Sequence, residues 1–232
     1  MIKGLIFDFD GVLVPIDVTL KQKLREKIII EYCTKTSVTK EQALAHFNQA
    51  ISKSTYDDAY YKIQDAALQL NSFQKNEFNN LFDQLSQKRV IKLDNTIVDM
   101  LRCFKEYGLI IGIVTLSSKE RIDNILLNTN VRKYFDFISS IPKKFLESPR
   151  SEWKKDAYQS FLTKYKLKAS EVMCLGDTQS IDIQPSNYLG IHSVLVIHDD
   201  NRELTQKGIA DHVLDRDTLH ETLPLLILDI NN

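Results

Sequence analysis

The hydrophobic pattern of this chain changes period twice. Residues 5–14, LIFDFDGVLV, are apolar except for Asp8, Asp10 and Gly11. A run this apolar reads as a strand buried on both faces. After Pro15 the period becomes helical, with Leu20, Leu24 and Ile28 recurring every four residues. Thr39 and Gln42 have the spacing of a capping box ahead of Leu44, Phe47 and Ile51. A further helix start at 54–58 leads to Tyr60, Ile63, Ala67 and Leu70, and Ser72 precedes Phe78, Leu81, Phe82 and Leu85. Residues 17–87 thus read as four helices without a strand, a small helical bundle.

From Val90 helices and strands alternate. Asp94 or Asn95 is placed to cap a helix carrying Ile97, Leu101 and Phe104 that stops at Gly108. The apolar segment 109–115 is a second buried strand, and Ser117 or Ser118 caps the helix of Ile122, Ile125 and Leu126. A third strand is expected at 135–140, then a helix capped by Ser151, a fourth strand at 171–177, a short helix, and a fifth strand at 192–197. The tail holds a brief DHVL segment and an apolar stretch. This alternation predicts an α/β fold: a Rossmann-like parallel sheet of five or slightly more strands, helices on both faces, and an inserted α-helical segment. The expected division is 1–16 with 88–232 for the α/β core and 17–87 for the helical insertion.

Composition narrows the class. The chain has 232 residues, 43% hydrophobic and 26% charged, with a net charge of −1. That balance describes an ordinary globular protein and argues for no polyelectrolyte partner, so no nucleic acid is expected. Cys33, Cys103 and Cys174 are scattered, odd in number and lack metal spacing, which points to reduced thiols and a cytoplasmic location. The first strand begins almost at Met1, so no secretory leader is expected, and the longest apolar stretch, 109–116, is too short to span a bilayer. Neither spacing nor composition speaks to oligomeric state.

The carboxylates change the picture most. Burying an ionised carboxylate without a partner costs several kcal/mol. Asp8 and Asp10 must therefore sit at a strand end or meet a cation. At alternate positions they lean to one side if strand geometry persists. Open parallel sheets bind ligands at the carboxyl ends of their strands, near the switch in strand order. The polar residues ending strands one, two and four are Asp8 and Asp10, Thr115, and Gly176-Asp177. A carboxylate cluster at such an edge suits Mg²⁺, which takes one or two carboxylates and keeps waters for a phosphate ligand. Taken singly, each residue has a plainer reading. Thr115 is then a β-branched strand residue, Asp177 a helix cap and Asp182 a solvated helix position.

Jointly, DFDGVL on the first strand, IVT ending the second and GDTQSID after the fourth resemble the haloacid dehalogenase-like superfamily. The resemblance covers about 1–16 and 88–220, and the helical insertion is similar to the family's cap domain at its first insertion point. It implies Mg²⁺-dependent hydrolysis of a small phosphorylated metabolite through an aspartyl-phosphate. Asp8 would be the nucleophile, and Asp10 the general acid and then base. Asp8, the backbone carbonyl of Asp10, and Asp177 would hold Mg²⁺, with Asp182 holding a metal-bound water or orienting Lys154. Thr115 would donate to a phosphoryl oxygen, with Leu116 and Gly11 also at the substrate, and the cap would close over the substrate and set specificity. Lys154 best matches the family's lysine spacing, with Lys155, Lys143 and Lys144 as alternatives. Leu116 stands where the family often has Asn, and residues 141–156 are longer than usual, so the substrate stays open. Two other readings remain: a phosphomutase of the same family, and a non-catalytic binding or regulatory protein that keeps the fold.

Overall fold

Side chains alternate across a strand, so a sheet covered on both faces must split its apolar residues between two layers. The computed structural model shows this division; it describes residues 1–16, 26, 30, 33–34, 37–45, 93–141, 149–198 and 208–232. Strand β1 spans Gly4–Phe7, β2 Ile110–Thr115, β3 Phe137–Ser140, β4 Val172–Gly176, β5 His192–Ile197 and β6 His212–Asp215. They form one six-stranded sheet in the order β3-β2-β1-β4-β5-β6, with every pairing parallel. The order reverses between β1 and β4, which makes their carboxyl ends the expected ligand crevice.

Helix α1 is Asn95–Glu106, α2 Lys119–Asn128, α3 Lys155–Tyr165, α4 Gln184–Leu189 and α5 Leu219–Asn231. Leu5, Phe7, Ile111, Ile113, Met173 and Leu175 form one layer with Leu101 of α1, Ile122 of α2 and Leu223 of α5. Ile6, Val114, Val172 and Cys174 point the other way, against Tyr158, Phe161 and Leu162 of α3. Phe161 lies so close to the sheet that a Cβ on Gly112 would fall 2.9 Å from its ring. Truncating a fully buried Phe of this kind to Ala costs about 3–5 kcal/mol.

Several expectations change. The first strand does not reach Val14. It ends at Phe7, and Phe9 O accepts from Leu13 N at 3.1 Å and Val14 N at 2.8 Å. Gly11, at φ +83°, lets the chain fold back. Phe9, Val12, Leu13 and Val14 are fully buried in this turn. Their apolar character marked burial rather than extended backbone. The DHVL segment forms the edge strand β6, and the apolar tail forms α5. Ser151 caps no helix: it lies in the 3₁₀ turn Arg150–Glu152, and Lys154 occupies the position before α3.

The chain separates into two compact units, Met1–Ile16 with Val90–Asn232, and Asp17–Arg89. Most of the helices expected in 17–87 lie outside the described residues, as do Lys143 and Lys144. The described part includes the expected capping box. Thr39 N donates to Gln42 Oε1 at 3.0 Å, and Gln42 N donates to Thr39 Oγ1 at 3.3 Å, ahead of a helical segment at 40–45.

Candidate active site

Asp8 is the first residue past β1, and its N–H still donates to Leu175 O of β4 at 2.8 Å. Its carboxylate is thereby held at the switch point. Asp8 Oδ1 accepts from Phe9 N at 2.7 Å and lies 2.9 Å from Lys154 Nζ. Among the described residues, no hydrogen bond ends on Asp8 Oδ2.

Lys154 is 1% exposed, and its Nζ also donates to Asp182 Oδ1 at 2.5 Å. A lysine at a helix N-terminus opposes the helix dipole. The two carboxylates offset that repulsion, and they explain why this cation turns inward. The neighbouring Lys155 points elsewhere, with its Nζ 3.6 Å from the centroid of the Tyr188 ring.

Asp182 is fully buried rather than solvated. The wide π-helical turn Gln179–Ile183 brings it back under Gly176, where a Cβ would fall 2.1 Å from Asp182 Cβ. Its second oxygen, Oδ2, accepts from Thr178 N at 3.0 Å. With both oxygens bonded, Asp182 is suited to orienting Lys154.

Asp177 completes the cluster. Asp8, Asp177 and Asp182 each offer an oxygen within 4.8 Å of the others. Thr178 Oγ1 donates to Asp177 Oδ1 at 3.0 Å, and His198 Nε2 lies 3.1 Å from Asp177 Oδ2. Gly11 admits Asp177 closely, since a Cβ there would fall 2.2 Å from Asp177 Oδ2.

Burial pushes the Asp8 carboxyl up to about 8, against the pull of Lys154 and with the push of Asp182 and Asp177. Burial likewise raises Asp182 to about 6, against Lys154 and with Asp177. Burial alone would lower Lys154, but Asp182 and Asp8 more than offset it and hold the ammonium charged. One lysine offsets a single negative charge among three carboxylates. This all-oxygen donor set at a strand-end crevice fits a divalent cation.

The second aspartate of DFDG does not join the cluster. Asp10 is bonded by Ser117 Oγ at one oxygen and by Arg121 Nη2 at the other. Both donors come from the β2–α2 side. Thr115 is buried at the end of β2, where its Oγ1 accepts from Ser117 N at 3.2 Å. Leu116 is half-buried against the α3-side layer. The structure thus joins Asp8, Lys154 and Asp182 directly, brings an Asp177 oxygen within 4.8 Å of both aspartates, and sets Gly11 beside Asp177. Asp10 and Thr115 form a flank connected through Ser117.

Three contributors escaped the sequence reading: Ser117, Arg121 and His198. Arg121 follows the Ser118 cap, whose Oγ accepts Arg121 N at 3.3 Å, and nothing in the pattern separates it from a surface arginine. His198 did leave a signal, because it directly follows β5. Asking which polar residue ends every strand would have found it.

The model of the haloacid dehalogenase-like hydrolases matches residues 5–196. The chain belongs to this family. No curated protein matches its sequence at a significant level. Among solved structures, a HAD phosphatase from Thermococcus onnurineus is 17% identical, covering 96% of this chain and 98% of that one, at a TM-score of 0.60. CbbY from Rhodobacter sphaeroides, solved with phosphate, is 16% identical over 95% of this chain and 96% of that one, at 0.61. A CbbY variant was solved with xylulose-(1,5)bisphosphate. A haloacid dehalogenase-like family protein from Streptococcus pneumoniae is 16% identical over 98% of both chains, at 0.58. At these identities the likeness is one of fold. Among the described residues, no helix is long and apolar enough to cross a membrane.

Proposed function

We propose that this family member is a Mg²⁺-dependent phosphatase that hydrolyses a small phosphate monoester through an aspartyl-phosphate. The observation that carries the reading is Asp8. Its Oδ1 faces Lys154 and Phe9 N, and among the described residues no hydrogen bond ends on Oδ2, inside a cluster of three aspartates. A carboxylate approaches a phosphate dianion only where cations cancel the repulsion. Lys154 supplies one fixed cation. When bound, Mg²⁺ would be held by Asp8, Asp177 and the Asp10 carbonyl and would neutralise the developing phosphoryl charge.

In the first step Asp8 Oδ2 attacks phosphorus, the ester P–O bond breaks, and a proton from Asp10 goes to the leaving oxygen. In the second, Asp10 takes a proton from water, and that oxygen attacks the aspartyl-phosphate. The P–O bond to Asp8 breaks, releasing inorganic phosphate. Thr115 donates to a phosphoryl oxygen, with Leu116 and Gly11 bordering the substrate. Residues 17–87 supply discrimination among substrates, which we infer to be small phosphorylated metabolites. The phosphate and sugar bisphosphate held by CbbY support that class. The scattered thiols favour a cytoplasmic setting.

The test is phosphate release from 4-nitrophenyl phosphate and a panel of phosphorylated sugars, with Mg²⁺ and with excess chelator. Metal-dependent release is expected. Equal turnover in chelator, or no cleavage of any ester, overturns the reading.

A further inference from the structure

Strand β5 runs beside β4 with Leu195 opposite Gly176. There β4 ends, while β5 continues to Ile197 and His198 follows. The extra length carries an imidazole to Asp177, with Nε2 3.1 Å from Oδ2. Both side chains are largely buried, at 10% and 14% exposure. An ionised carboxylate can only accept, so His198 Nε2 donates. Thr178 Oγ1 donates to the other oxygen at 3.0 Å. The Asp177 carboxylate is therefore held at both oxygens, and turning it about Cβ–Cγ breaks both bonds. A carboxylate oxygen that accepts one hydrogen bond has a second lone pair with which to meet a cation.

We infer that His198 is a positioning residue for the cation site, acting through Asp177 by fixing its carboxylate toward Asp8. The inference rests on the reading of Asp8 and Asp177 as cation ligands. His198 is not itself a ligand, because the nitrogen nearest the cluster carries a proton and spends it on Asp177. Its effect is preorganisation: a carboxylate held in one rotamer loses less freedom when an ion arrives. Partners of this kind are worth about 10–100-fold in metal affinity.

The probe is Mn²⁺ alone, titrated into the unaltered protein, His198→Phe and His198→Gln while free Mn²⁺ is followed by electron paramagnetic resonance. The Phe variant is expected to bind about 10–100-fold more weakly, whereas the Gln variant, which restores an N–H donor, should stay within about threefold of the parent. Electron spin-echo modulation of Mn²⁺ on the unaltered protein should show no directly coordinated ¹⁴N. Equal affinity in parent and Phe variant overturns the inference and leaves the cation reading standing. Coordinated nitrogen in the parent also overturns it, by making His198 a ligand. No Mn²⁺ binding to the parent removes the cation reading and the inference with it. Metal-free melting temperatures of the three proteins separate a folding defect from a binding one. The spin-echo measurement needs no variant.

Discussion

Around Asp8, three carboxylates crowd together, two of them on one buried ammonium; around Asp10, one carboxylate has a guanidinium and a hydroxyl. Phe9 alone separates these surroundings along the chain. The Asp8 side, built by β1, β4 and the approach to α3, is crowded with like charge in a desolvated place. The Asp10 side, built by β2 and α2, is a matched pair. Like charges held together are costly, and proteins keep such arrangements mainly at functional sites. DFDG thus places two carboxylates in opposite electrostatic settings. On the mechanism proposed above, the first would meet a cation and a phosphorus atom. The second would be held in place for proton transfer to the leaving group.

The largest effect is expected at the Asp8 carboxylate. Asp8→Asn removes the charge of the proposed nucleophile and leaves the Asp10 pair in place. Turnover of 4-nitrophenyl phosphate should fall by on the order of 10⁴–10⁶, the scale seen when a covalent nucleophile is removed. Steady-state kinetics with saturating Mg²⁺ measure it. Residual turnover within tenfold of the parent would show that Asp8 does not attack.

One variant on each side tests whether the two carboxylates divide the work. Lys154→Ala removes the fixed cation beside Asp8 and should lower kcat by about 10²–10³. That loss should be alike for aryl and alkyl phosphates, since both share the same attack. Arg121→Leu frees Asp10 and disturbs protonation of the leaving group, a role worth about 10²–10⁴ in full. A nitrophenolate leaves without help, so the Arg121 loss should be small for the aryl ester and about tenfold or more for an alkyl ester. If both variants show the same leaving-group dependence, the two sides do not divide the work.

Much of the fold was legible because both periods were strong. The apolar runs at 109–115 and 192–197 marked β2 and β5 almost to the residue, since strands buried on both faces leave few polar positions to confuse the ends. The first strand misled for the same reason. Val12, Leu13 and Val14 are as buried as Phe7, and hydrophobicity reports burial rather than backbone direction. Asp8, Asp177 and Lys154 were legible as candidates because strand ends and family spacing pointed to them. The separation of Asp8 from Asp10 was not legible. It depends on Gly11 turning the chain and on Arg121 reaching back over more than a hundred residues, and neither fact is written in local pattern.

The smallest effect is one of stability, and its sign is unusual for aspartates. Burial holds the Asp8 carboxyl at about 8 and Asp182 at about 6. In the unfolded chain both titrate near ~3.9. Between those values the folded protein keeps protons that the unfolded chain has lost. The unfolding free energy therefore decreases as pH rises through this window. Lys154, held charged by Asp182 and Asp8 despite its burial, stays protonated throughout and adds no slope there. The metal-free protein should melt lower at pH 8 than at pH 5, with about 2–4 °C lost per kcal/mol for a chain of this size. Asp8→Asn mimics the protonated carboxyl permanently, so its melting temperature should fall less over the same range. Mg²⁺ selects the ionised form, so it should stabilise the parent more at pH 8 than at pH 5. Calorimetric melts of parent and variant, with and without Mg²⁺, check all three signs. A parent and variant with the same pH slope would show that the crowding around Asp8 is relieved by some means other than holding a proton.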